Sequence, residues 1–216
     1  MSRENSDDFQ SMLFDICHLF DRIYVEVYMT INQNTIIKDD NPIIRQKSLP
    51  VSLPLQKEDA QLLRDLFQYV KDSTDPEKAE KENLRAAVGI SAIQIGIPKQ
   101  LTAVVVNDVD KDDNDVHYEY MLVNPRIISS SVQKSYLENG EGCLSVIDEH
   151  EGYVVRSARV KIQAYDLLTD KNVTIRARGY FAIVLQHEID HFKGILFYDY
   201  INSKDPFAKV PGAIVI

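Results

Sequence analysis

The sequence predicts an α+β fold in which mostly antiparallel β-sheets pack around a central α-helix, preceded by an N-terminal helical extension. Three observations predict it. Apolar residues recur at helical spacing early in the chain, cluster in short runs through its middle, and return to helical spacing around two histidines near its end. Helix, then strands with short polar connections, then helix is the order of an α+β chain rather than of an alternating α/β one.

Residues 1–35 form the extension. Phe9, Leu13, Ile16, Cys17, Phe20, Ile23, Tyr24 and Val27 recur at helical spacing, with Asp15, Asp21 and Glu26 among the polar positions. Such an amphipathic helix is expected to pack on its own domain, with a partner or dimer contact as the alternative, and its acidic polar face argues against a membrane surface. Residues 36–216 form the main domain. Within it Leu62, Leu63, Leu66, Phe67 and Val70 mark a helix, and the charged stretch around Asp75-Pro76-Glu77-Lys78 reads as a loop or a short solvated helix. Residues 101–106, 118–123, 127–132, 160–165 and 173–177 read as strands, with acidic 108–115 a solvated hairpin tip. The apolar last residues, 210–216, predict a terminal strand.

Composition narrows the function classes. A net charge of −9 argues against tight sequence-independent binding to nucleic acid, which needs a basic footprint. Two cysteines exclude a disulfide framework and suit a reducing compartment. There is no run of 18 apolar residues, and the acidic start Glu4, Asp7, Asp8 lacks the basic region of a signal peptide. A cytoplasmic protein without a membrane partner is expected.

The segment that carries chemistry is Gln186-His187-Glu188-Ile189-Asp190-His191. Residues four apart on a helix differ by only about 40° and about 6 Å of rise, so both imidazoles can reach one ion, with the Glu188 carboxylate beside them as a base. Tyr180, Phe181, Ile183, Val184, Leu185, Ile189 and Phe192 supply the apolar surface of that helix, and Gly179 and Gly194 stand where it would start and stop.

Two histidines leave a catalytic site one protein ligand short. In the elongated zincin proteases the third is a histidine six residues after the second; Gly194 fits that pattern, but Phe197 occupies the ligand position. No Glu follows Glu188, so a thermolysin-like ligand is missing too. Upstream, Glu141-Gly142-Cys143-Leu144-Ser145 offers a soft thiolate suited to two imidazoles, with Gly140 and Gly142 letting the backbone come close. A lone cysteine is more often a small buried hydrophobe, the reading given to Cys17.

These residues resemble the three signature segments of the peptide deformylases: Gly89-Ile90-Ser91-Ala92-Ile93-Gln94, Glu141 to Ser145, and Gln186 to His191, in that order. Tyr120-Met121-Leu122-Val123-Asn124-Pro125 and Gly179-Tyr180-Phe181-Ala182-Ile183-Val184 resemble the subtype of Gram-positive bacteria and relatives. The likeness runs from about Ile36 to about Ile201. It implies a hydrolase that removes the formyl group from the N-terminal formyl-methionine of new polypeptides and releases formate.

The resemblance also implies roles. Cys143, His187 and His191 would hold one divalent metal, with Fe2+ expected natively and Zn2+, Ni2+ or Co2+ fitting the same ligands. Glu188 would take the proton of the attacking water and hand it to the leaving amine. The Gln94 amide and the Leu144 backbone N–H would meet the developing oxyanion. Gly89 would let an extended peptide pair like an added strand, against an ordinary turn as the plainer reading. Glu141 is a candidate to orient a ligating imidazole with Arg156 balancing its charge, or the two form an ordinary surface ion pair. Partners would be N-formylmethionyl peptides and nascent chains, with any ribosome contact local and weak. The chain departs from the family pattern at Ala87 for Gly, Ser91 for Ala and Ile93 for Pro, and again at Ile147-Asp148-Glu149-His150, where Pro is common after Val146.

Overall fold

The computed structural model describes residues 30–216 except 111 and 113. Most of the extension, including its expected helix and Cys17, lies outside the described residues.

Helix α1 (Lys57–Ser73) buries Leu62, Leu63, Leu66 and Val70, as its spacing requires, and α2 (Pro76–Glu82) follows it. The Asp75 side chain caps α2 by accepting from the N–H groups of Glu77 and Lys78, so the charged stretch is the short solvated helix. Strands β1 (Gly89–Ser91), β2 (Leu101–Val109), β3 (Asp115–Ser130), β6 (Arg159–Asp166) and β7 (Lys171–Arg178) form one sheet in the order β1-β2-β3-β6-β7, antiparallel throughout. Strands β4 (Lys134–Tyr136), β5 (Arg156–Ser157) and β8 (Ile214–Val215) form a second, in the order β5-β4-β8, with β4 and β8 parallel. Helix α3 (Gly179–His191) carries the histidine motif.

Two expectations need correction. Segments 118–123 and 127–132 are one strand, β3, because register shifts between Val123 and Arg126 and again between Ile127 and Ser129 carry it past Pro125 without ending it. The terminal strand is only Ile214–Val215, since Gly212 stands in the left-handed region and turns the chain just before it.

The two main helices lie on opposite faces of the sheet. Leu101 and Ala103 of β2 pack with α1, whereas the alternate residues Val104 and Val106 pack with Phe181, Leu185 and Ile189 of α3. This is why β2 is an almost continuous apolar run, while β6, covered mainly on the α3 side, alternates buried with part-exposed residues. Helix α3 is therefore buried almost all round, and Gly194 ends the chain's path there. Gly194 has φ of +71° and lies against the Arg45 carbonyl, where a Cβ would collide with that backbone.

Candidate metal centre

Helix α3 presents His187 and His191 from successive turns, their ring centroids 5.0 Å apart. The loop between β4 and β5 brings Cys143 to them. The three ligand atoms all lie within 4.8 Å of one another, with Cys143 Sγ 3.5 Å from His191 Nε2. Phe197, the residue that closes off the zincin pattern, stacks beside the His187 ring instead. Of the two glycines expected to allow close approach here, Gly140 has φ of +74°, but a Cβ on Gly142 would meet nothing within 4 Å, so contact does not require that glycine.

The protein's own groups test whether a cation fits. His187 Nδ1 lies 2.8 Å from Glu141 Oε2, which turns its other nitrogen toward the thiol. Burial opposes a charge on His187, yet its bonds to Cys143 and Glu141 raise its pKa well above the ordinary value. A sulfur and two imidazoles whose ligand atoms converge in one mostly buried place are a donor set that fits a divalent ion, which would take the place of the His187 proton. His191 is pushed well below its ordinary value by burial and by the charges of His187, Arg156 and Arg45, leaving it a neutral imidazole ready to ligate. Its Nδ1 is buried and without a partner among the described residues.

Glu141 is no surface group. It takes Arg156 Nε at 2.5 Å and the second guanidinium nitrogen at 2.9 Å, and both side chains are nearly fully buried, at 3% and 4% exposure. Asp190 holds the remaining guanidinium nitrogen at 2.9 Å, so Arg156 ties the loop carrying Glu141 to the helix carrying the histidines. Burial pushes Glu141 up, but the bonds from His187 and Arg156 outweigh it and hold the carboxyl below the usual range.

Glu188 faces β1. Its Oε2 accepts from Ser91 Oγ at 2.7 Å and Thr102 Oγ1 at 3.3 Å. Burial raises its pKa, and the charge of His187 and the two hydroxyls offset that only in part. A Cβ on Gly89 would fall 2.6 Å from Glu188 Oε1, so a side chain there would displace this carboxylate from its present place. Strand β1 pairs only with β2, at the end of the sheet order, so its outer edge has no strand partner among the described residues.

Gln94 lies in the short 3₁₀ helix Ala92–Ile95. Its Oε1 accepts from Ser91 N–H at 2.8 Å, which fixes the amide so that Nε2 points to Cys143 Sγ at 3.6 Å and Ser145 Oγ at 3.4 Å. The Leu144 carbonyl accepts from Lys38 Nζ at 2.6 Å, a bond across 106 residues. A cavity of about 280 Å3 opens beside these groups, lined by Gly89, Leu137, Tyr180, Ile183, Val184 and Glu188 among others. That is room for a single apolar side chain and its backbone rather than for a folded domain.

The structure thus gathers Gly89, Cys143, Leu144, His187 and Glu188 around one cavity, with Gln94 and His191 reaching Cys143 from behind and Arg156 bound to Glu141. Sequence reasoning missed four that support them: Lys38, Ser91 as a donor, Thr102 and Asp190. Asp190 sits inside the histidine motif and Ser91 is a departure from the family pattern, so both carried a signal; Lys38 and Thr102 carried none.

A family model described as polypeptide deformylase matches residues 33–207. The peptide deformylase of Oceanobacillus iheyensis is 50% identical over 177 residues, which cover 82% of this chain and 94% of that protein. Peptide deformylase 2 of Bacillus subtilis is 44% identical over 186 residues, covering 86% and 98%. Among solved structures, the class I type b peptide deformylase of Acinetobacter baumannii with Met-Ala-Ser bound is similar at a TM-score of 0.61 and 28% identity, over 80% of this chain and 100% of that one. Likeness of this extent, in sequence and in fold together, leaves one placement: the chain belongs to the polypeptide deformylase family.

Proposed function

We propose that the chain hydrolyses the formyl amide of N-terminal formyl-methionine on new polypeptides, with Cys143, His187 and His191 holding one divalent ion and Glu188 moving the protons. The observation that carries this reading is the convergence of three ligand atoms within 4.8 Å, with a carboxylate of raised pKa next to one ligand, in a chain of this family. When bound, the ion would acidify a water and polarise the formyl carbonyl.

The rest falls to the chain itself. Ser91 and Thr102 occupy Glu188 Oε2, which leaves Oε1, beside Gly89, to take the proton of the attacking water. Water oxygen bonds to the formyl carbon, the carbon–nitrogen bond breaks, and Glu188 returns the proton to the departing amine, giving formate and a free N-terminus. Gln94 Nε2 and the Leu144 N–H meet the oxyanion as it forms; Lys38 fixes the Leu144 carbonyl and with it the loop. The peptide adds to the outer edge of β1, and its methionine enters the apolar cavity.

We take residues 36–216 as the catalytic unit, a reading supported by the family model starting at residue 33, and residues 1–35 as an appendage. The substrates are formylated peptides and nascent chains, met in the cytoplasm. Among the described residues no helix is long and apolar enough to cross a membrane. Fe2+ is the expected native ion.

Formyl-Met-Ala-Ser and its unformylated twin test the activity. Formate from the first and no internal cleavage of either is the expected result; cleavage of both without formate would identify a protease. Iron is tested by metal content after anaerobic purification. The ferrous enzyme loses activity in air, since iron and Cys143 both oxidise, and equal lifetimes with and without oxygen would rule iron out.

A further inference from the structure

The outer face of β6 and β7, on the side of the sheet away from α3, carries a block of cations that the reaction does not use. Arg159 stands directly opposite Arg178 and Lys161 opposite Arg176, two successive cross-strand pairs of like charge. Arg126 of β3 continues the block, opposite Gln163, to which it donates at 2.9 Å. None of Arg159, Lys161, Arg176 and Arg178 forms an ion pair with a described residue; Asp110 approaches Arg178 closely enough for that charge to help lower its own pKa.

Like charges directly opposite in a ladder destabilise a sheet, and in a chain with 33 acidic residues to 24 basic ones an opposite charge could readily stand there. Instead, the cations line a groove of about 380 Å3 together with the serines of 129–131, and no carboxylate lines it or the neighbouring groove that holds Arg126. Four of the five cations are arginine, whose planar fork suits phosphate oxygens two at a time, and hydroxyls beside them add neutral donors of the kind that contact nucleic-acid backbones.

We propose that this face docks on the phosphodiester backbone of structured RNA. The proposal rests on the deformylase reading for its setting: formylated chains emerge from a particle whose surface is largely RNA. Because β6 and β7 turn their other face to α3, docking there leaves the metal centre and the outer edge of β1 open. The net charge of −9 restricts such contact to this patch. A membrane surface is the weaker fit, since the exposed apolar residues nearby, Leu53, Ile128 and Val132, are isolated aliphatic side chains with no aromatic among them, too few for an inserted wedge.

The test uses the full chain, a fluorescent RNA duplex, intact ribosomes and phosphatidylserine vesicles. Wild type is expected to bind duplex and ribosomes in low salt and vesicles less tightly. A triple variant, Arg159→Gln, Lys161→Gln and Arg176→Gln, should lose at least about tenfold in affinity, with the slope of log K against log salt shallower by roughly 2–3. It should keep kcat/KM on free formyl-Met-Ala-Ser within about twofold and fold at least as stably, because the like-charge pairs are gone. Lys47→Gln, Lys57→Gln and Lys209→Gln together remove the same charge elsewhere and should leave RNA affinity nearly unchanged. Equal losses in the two triple variants, or vesicles bound more tightly than RNA, would overturn the proposal. RNA binding in a protein that releases no formate would leave this surface standing and overturn the reading of the site.

Discussion

Glu141 and Glu188 are both buried, both touch or adjoin His187, and end in opposite states. Glu141 is gripped by three charge-assisted donors from Arg156 and His187 and sits below the usual carboxylate range. Glu188 has two neutral hydroxyls on a single oxygen and sits above it. Burial pushes both the same way, so the partners decide. A carboxylate saturated by cations is an orienting strut that keeps its charge; one with a free oxygen and a raised pKa can accept a proton and return it.

The largest expected effect comes from removing the mobile partner of this pair. Glu188→Gln keeps size and the hydroxyl bonds and should lower kcat by about 10²–10⁴-fold while metal content stays at one ion per chain; activity within a few fold of wild type would remove Glu188 from the proton path. Breaking the other side acts first on stability. Arg156→Met takes two of the three charged donors from Glu141, leaving His187, and one from Asp190, leaving Lys193, and we expect about 3 kcal/mol less stability in denaturant titration, against little change if the network were solvated. Glu141→Gln is subtler, since an amide still accepts from His187: metal affinity should fall about 10–100-fold by competition with a chelator, with kcat largely restored at saturating metal.

The smallest effect sharpens the contrast. Ser91→Ala installs the residue that the family pattern usually carries and removes one hydroxyl from Glu188. That bond favours the charged form and lowers the pKa, so its loss raises the pKa further. The acid limb of kcat/KM should move to higher pH, with a fall at the optimum of about tenfold or less, as for one hydrogen bond to a charged group. A limb that stays put or moves to lower pH would show that Ser91 does not set the state of Glu188.

How far the sequence reached follows from the range of each signal. His187, Glu188 and His191 were legible because one helix carries them at a spacing that already dictates geometry. Cys143 was legible as the answer to a missing ligand. The strands of β2, β6 and β7 were legible from apolar patterning, but the union of two runs into β3 was hidden, since a bulge keeps two strand signals apart without breaking the ladder. Arg156 was named with its role left open, because burial depends on what packs over it and not on neighbours in the chain. Lys38 reaches Leu144 from 106 residues away, and nothing local in either segment announces the bond.

The contact between Gly89 and Glu188 has a further consequence. The α-carbon of the strand offered to the substrate lies against the group offered as base, with no side chain between them. A peptide that adds to β1 in register therefore sets the distance from its own scissile amide to Glu188 by the spacing of a hydrogen-bonded ladder. A slip of one residue turns the side chains over and moves the amide out of reach in a single step. On the proposed function, selection for the first residue of a chain would be built into strand pairing, and the proton transfer would inherit its ruler from the backbone.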